Sequence, residues 1–160
     1  MILTLDQPRV ALLSRAEDRS LGEAGVTLRE LFRAQREHSA VADRGADVYS
    51  RLSAALHRSR AESGTLLHPD AFSRTLELLM ALPREVPLPD VVVESETEIG
   101  LDWDLGRRQV LSLTVRDTPM VGFSALFGQE PLHGRFVFAG DDIPETLQYL
   151  FSRLFRRRTR

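Results

Sequence analysis

Cysteine and lysine are absent from this sequence, and long apolar runs are absent as well. Without cysteine the chain forms no disulfide and no thiolate metal site, and thiol catalysis is excluded. Without lysine, a phosphate-binding loop of the Gly-Lys type is excluded too. No apolar stretch approaches the roughly 18 residues that span a bilayer, and the N-terminus has no signal-peptide pattern. We therefore expect a soluble, cytoplasmic protein.

The composition is that of an ordinary globular protein. Of the 160 residues, 42% are hydrophobic and 28% are charged, which fits one domain or a small domain with a helical extension. The formal net charge is −2, and all 21 basic residues are arginine. This charge balance gives no general reason to expect nucleic acid as a ligand.

Residues 1–66 are predicted to form a helical N-terminal region, with one long helix among its helices. Thr27 and Glu30 have the spacing of a capping box, and Val26 can contact Leu31 as the accompanying hydrophobic staple. These signals predict that a helix begins at Thr27. Gly64 is suited to its C-terminal end, so we expect one long helix, or two nearly collinear ones, ending there.

Within this helix, residues spaced alternately by three and four form a seam of the coiled-coil kind. The seam consists of Leu28, Leu31, Gln35, His38, Ala42, Gly45, Tyr49, Leu52 and Leu56. Its polar centre weakens the apolar stripe, so a break near residues 43–46 into a hairpin is the alternative to one long helix. Two alternatives stay open: the helix packs on its own domain, or it forms a homodimer through the seam from Leu28 to Leu56.

Residues 67–160 predict an α+β domain. The segment His68-Pro69-Asp70 is a helix entry, and the following helix places Phe72 and Met80 on a core face. Alternating apolar residues then predict four to five short strands, at residues 91–93, 98–104, 110–115, 120–127 and 132–138. Short connections between consecutive strands imply an antiparallel meander.

A C-terminal helix is predicted to cover the apolar side of this sheet. Asp142 and Glu145 have a capping arrangement, with Pro144 in the first turn. The helix carries a wide apolar stripe formed by Ile143, Leu147, Leu150, Phe151, Leu154 and Phe155. Such a stripe indicates a structural helix.

A series of short motifs in this half resembles a group of small uncharacterised bacterial proteins. The motifs are Leu88-Pro89, residues 98–103, residues 123–128, Leu132-His133-Gly134 and Ile143-Pro144-Glu145. The group is associated with two-gene modules similar to toxin–antitoxin pairs. The resemblance covers the C-terminal half, and it implies no activity and no functional residue.

Few residues suggest chemistry. The four histidines are scattered, without the spacing of a metal motif. The acidic strand around Asp102 and Asp104 predicts a solvated face, although oxygen ligands also suit hard cations. Trp103 is expected in the core, with a partly exposed ring as the alternative that would anchor a partner. His133 stands beside a glycine near a loop.

The C-terminal arginines Arg156, Arg157 and Arg158 complete the candidate set. Cations at a helix C-terminus are favoured by its dipole, and those beyond it could contact phosphates or an acidic protein.

Taken together, these residues predict a non-enzymatic protein without metal or other cofactor. We expect it to bind another protein, such as a neighbouring-gene product in a toxin–antitoxin-like or defence module. Candidate contact residues are Trp103, His133 and Arg156 to Arg158. The alternatives are a metal-dependent hydrolase or nuclease using His133 with Asp102 or Asp104, and nucleic-acid binding through the terminal arginines.

Overall fold

The computed structural model describes residues 23–140 and 142–155. In chain order its elements are α1 (Glu23–Ser63), α2 (Pro69–Ala81), β1 (Asp90–Val93), β2 (Glu98–Asp104), β3 (Gln109–Arg116), β4 (Met120–Phe127), β5 (Glu130–Val137) and α3 (Glu145–Leu154).

The five strands form one open antiparallel sheet in the order β1-β2-β3-β4-β5. Each strand pairs with its neighbour in sequence, so the sheet is the predicted meander and the α+β fold is confirmed. The strands β1 and β5 are its two edges. In the part of the chain that the structure describes, no helix is both long and apolar enough to cross a membrane.

One face of the sheet, here called the inner face, contains the core. Alternation along each strand places apolar side chains on this face, and those at the centre of β2 and β3 are fully buried: Ile99, Leu101, Leu111 and Leu113. Helix α2 lies against β2 and β3, and α3 lies against β3 and β4. Four members of the predicted stripe of α3 are confirmed, since Leu147, Leu150, Phe151 and Leu154 are buried. The other two, Ile143 and Phe155, are partly buried and flank the helix.

Helix α1 is a single helix of 41 residues that ends at Ser63. Gly64 follows with φ +70° and donates its N–H to the carbonyl of Arg60, which confirms the predicted glycine end. The predicted start at Thr27 is wrong, because the helix has already begun at Glu23. Thr27 therefore lies inside the helix, where its N–H needs no side-chain cap.

The chain divides into two compact units between Asp43 and Arg44. In the unit that begins at Arg44, the helix buries Val48, Leu52 and Ala55 in the core. This stripe shares only Leu52 with the predicted seam. Tyr49 is 58% exposed, so this seam position lies on the solvent-exposed side of the helix.

Two arginines explain which side of α1 is buried. The guanidinium of Arg44 donates to the carbonyls of Arg84 and Val86, and that of Arg51 donates to the carbonyl of Pro89. These acceptors lie in the segment between α2 and β1, residues 82–89, here called the connector. It contains three prolines and is not part of the sheet. The connector is thus held against the same side of α1 as the buried stripe.

The two shorter helices differ in how they begin. The predicted helix entry is confirmed, since α2 begins at Pro69. His68 is its N-cap, and the His68 Nδ1 accepts a hydrogen bond of 3.3 Å from the N–H of Asp70. In α3 the N-cap is Pro144, and no side chain caps the helix. The predicted capping arrangement of Asp142 and Glu145 is therefore wrong. Met80 of α2, predicted in the core, is 40% exposed.

Candidate binding surfaces

The second face of the sheet, here called the outer face, is formed by the alternate residues of the same strands. Small and polar side chains occupy it: Gly100 and Asp102 on β2, Ser112 and Thr114 on β3, Gly122 and Ser124 on β4, and His133 and Arg135 on β5. Most of these residues are half-buried or exposed. Small side chains in the middle of the sheet leave a shallow surface between charged edges.

The β1–β2 side of the outer face is acidic. The carboxylate of Glu94 lies over Gly100, where its Oε1 is 2.6 Å from the position that a Cβ would take. Burial raises the pKa of Glu94 above its ordinary 4.5, and the nearby Glu98 and Asp102 carboxylates raise it further, while Arg116 lowers it. Arg116 pairs with Glu98 at 2.7 Å and marks the limit of this acidic side.

The β4–β5 side contains a groove of about 420 Å³, here called the basic groove. Arg116, His133 and Arg135 provide its cationic or titratable groups, and Ser112, Thr114, Thr118 and Ser124 provide hydroxyls. No Asp or Glu is among its described lining residues. The groove is concave because Gly122 stands between the longer side chains of Arg135 and Thr114 in one cross-strand row.

The sheet separates His133 from the acidic residues with which it was grouped in the metal hypothesis. Asp102, Ser112, Ser124 and His133 lie in one cross-strand row, so two strands intervene between Asp102 and His133. Three strand spacings of about 4.8 Å place their backbones roughly 14 Å apart. Asp104 lies in the next row. Across the described residues, no three His, Asp or Glu side chains converge as metal ligands.

Trp103 lies in the core and is 3% exposed. Its Nε1 donates a hydrogen bond of 2.7 Å to the carbonyl of Pro87, and its ring packs edge-on against Phe151. This side chain joins the connector, the sheet and α3. Its position matches the expected core role and leaves little surface for a partner.

The terminal arginines divide into a described and an undescribed part. Arg153 donates to the Glu130 carboxylate at 2.6 Å and to the Tyr149 hydroxyl at 2.8 Å, and its guanidinium lies over the Phe127 ring. The hydrogen bond to Glu130 raises the pKa of Arg153. This arginine therefore joins α3 to β5. Arg156, Arg157 and Arg158 lie outside the described residues.

The first half of α1 provides a different kind of surface. Every described side chain from Arg33 to Asp43 is exposed, including Val41 at 47%. Contacts within the helix include the Arg33–Glu37 ion pair and the hydrogen bond between His38 Nδ1 and the Ala34 carbonyl. Helices usually depend on packing of an apolar face for their stability.

Comparison of the chain with family models, curated proteins and solved structures gives no match. The basic groove and the exposed run of α1 must therefore be interpreted from their own chemistry. Of the residues singled out in the sequence, His133 lies in the basic groove. The sequence did not predict that Arg135, Gly122 and Ser124 line a groove with His133, because their proximity depends on the pairing of separate strands.

Proposed function

We propose that this chain is a non-enzymatic protein-binding component. The observation that carries the proposal is the exposed run from Arg33 to Asp43 within a helix of 41 residues. A helix that is exposed on all sides is stabilised mainly by local pairs, and a partner that covers one side would add the missing packing. Long amphipathic helices commonly bind partners in this way.

The seam predicted from the sequence indicates which side a partner would cover. His38 and Ala42 belong to this seam and are exposed, and Ala40 is exposed on another side of the same turns. The partner proposed first is the product of a neighbouring gene, because the C-terminal motif series resembles proteins of two-gene modules. A second copy of this chain is the competing occupant.

Two alanines of α1 provide a matched test. Ala42→Glu places a charge on the seam, and Ala40→Glu places the same charge on a different side of the helix. Both positions are exposed, so each substitution should change the free energy of unfolding by less than about 0.5 kcal/mol. In co-expression with the neighbouring-gene product, we expect Ala42→Glu to weaken the complex about tenfold or more, since burying a charge without a partner is costly.

Size-exclusion chromatography with light scattering identifies the occupant. A heteromeric complex that Ala42→Glu reduces and Ala40→Glu preserves supports the proposal. A homodimer with the same response would assign the seam to self-association. A monomer that retains no stoichiometric partner would contradict protein binding.

A further inference from the structure

The strand β5 is an edge whose outward backbone groups can be assigned from its pairing. Phe138 donates its N–H to Pro119, and the same register pairs Phe136 with Val121 and Gly134 with Phe123. In an antiparallel ladder the hydrogen-bonded pairs alternate with non-bonded pairs. The intervening residues of β5 therefore direct their N–H and C=O groups away from β4.

These outward positions are Pro131, His133, Arg135 and Val137, here called the β5 edge. Proline lacks an N–H, and an edge strand tolerates it where that N–H would face solvent, which fits Pro131. The edge thus offers the N–H groups of His133, Arg135 and Val137. Within the described residues, no hydrogen bond from another segment reaches these groups. The opposite edge, β1, has only 4 residues.

The two sides of this edge differ in chemistry. On the outer face, His133 and Arg135 are exposed and adjoin the basic groove, which has no described carboxylate in its lining. On the inner face, Leu132 and Phe123 are only partly buried and pack on the core. A strand that paired with β5 would place alternate side chains beside these two environments.

We propose that the β5 edge binds an extended segment of another protein by strand addition, and that acidic residues alternate with apolar ones in this segment. Its backbone would pair with His133, Arg135 and Val137, its carboxylates would face the basic groove, and its apolar side chains would cover Leu132 and Phe123. This inference rests on the proposed protein-binding function and adds a site with a defined ligand chemistry. Main-chain pairing supplies affinity in this mode, and alternate side chains supply specificity.

The probe is an octapeptide of alternating glutamate and valine, titrated into the full chain and followed by backbone amide NMR. We expect the amide signals of His133, Arg135 and Val137 to shift together. Arg135→Glu should weaken binding about tenfold or more, because it replaces an attractive charge with a repulsive one. The same octapeptide with lysine in place of glutamate should not bind.

A second variant tests the backbone contribution. Val137→Pro removes one outward N–H that the fold does not use, so the thermal stability should be nearly unchanged, as the native Pro131 indicates. Binding should weaken about threefold to tenfold, the value of one hydrogen bond. Arg58→Glu, at an exposed position of α1, makes the same charge change as Arg135→Glu and should leave the affinity within about twofold.

Three results would overturn the inference. The acidic octapeptide does not bind; it binds equally well to both β5 variants; or inorganic phosphate shifts the same amides when the peptide does not. Self-association that Val137→Pro abolishes, without peptide binding, would assign the edge to a second copy and would also overturn it. The matched variants at Ala42 and Ala40 do not touch β5, so their result decides the proposed function separately.

Discussion

The inner and outer faces of the sheet are built from the same strands but have different requirements. On β3, Leu111, Leu113 and Val115 are at most 1% exposed. Their neighbours Ser112 and Thr114 are half-buried and face the other side. The inner residues fix the position of the helices, so they are constrained by packing. The outer residues contribute little to this packing, so their side chains are available to bind a partner.

The largest difference between the faces should appear at adjacent residues of β3. Leu113→Ala removes a fully buried side chain and should lower the free energy of unfolding by about 2–5 kcal/mol. Thr114→Ala, on the outer face, should cost less than about 1 kcal/mol. Denaturant unfolding of both variants measures the two values. Equal losses would show that the outer face contributes to the core as much as the inner face does.

Replacing a glycine by alanine should also affect stability differently on the two faces. A Cβ at Gly134 would lie 2.8 Å from ring atoms of Phe123, so Gly134→Ala forces the ring to move and should cost about 1–3 kcal/mol. At Gly122 the nearest atom, Thr114 Cβ, is 3.9 Å away. Gly122→Ala should be neutral or stabilise by about 0.5–1 kcal/mol, because alanine loses less backbone entropy on folding. The order of the two melting temperatures tests this, and a reversed order would contradict it.

The smallest effect concerns the acidic side of the outer face. The pKa of Glu94 is raised in the folded chain, so the native state binds its proton more tightly than the unfolded state does. Stability from this group is therefore present below the ordinary pKa of 4.5 and is lost as the pH rises through the raised value.

Glu94→Gln should remove this loss and raise the stability at pH 7 by a few tenths of a kcal/mol, the scale of exposed charge pairs. Glu96→Gln, at an exposed position nearby, is the control. Unfolding curves recorded from pH 4 to pH 7 compare both variants with the parent chain. A slope that is unchanged in Glu94→Gln would show that burial beside Glu98 and Asp102 does not affect this carboxyl.

The sequence predicts the strands well because apolar and polar residues alternate along each strand, since only the inner face of the sheet contains the core. The prediction for β4, residues 120–127, agrees with the structure at both ends. The prediction for β5, residues 132–138, differs from Glu130–Val137 by one or two residues. Short connections then leave the meander as the simplest pairing, which the structure has.

The sequence predicts α1 less well because tertiary contacts choose its buried side. Spacing counted from Leu28 selects Tyr49 and Leu56, whereas packing selects Val48, Leu52 and Ala55. The hydrogen bonds of Arg44 and Arg51 to the connector lie between residues about 40 positions apart, and helical spacing carries no information about them. The basic groove is likewise invisible in the sequence, since it depends on the register of three strands.

We propose that α1 binds a protein partner through the exposed part of its seam, around His38 and Ala42. The most direct test measures how much partner copurifies with the parent chain, Ala42→Glu and Ala40→Glu under identical conditions. We expect a stoichiometric partner with the parent chain and Ala40→Glu, and its loss with Ala42→Glu. Equal retention by both variants, or no stoichiometric partner with the parent chain, would show that this surface does not bind a protein partner.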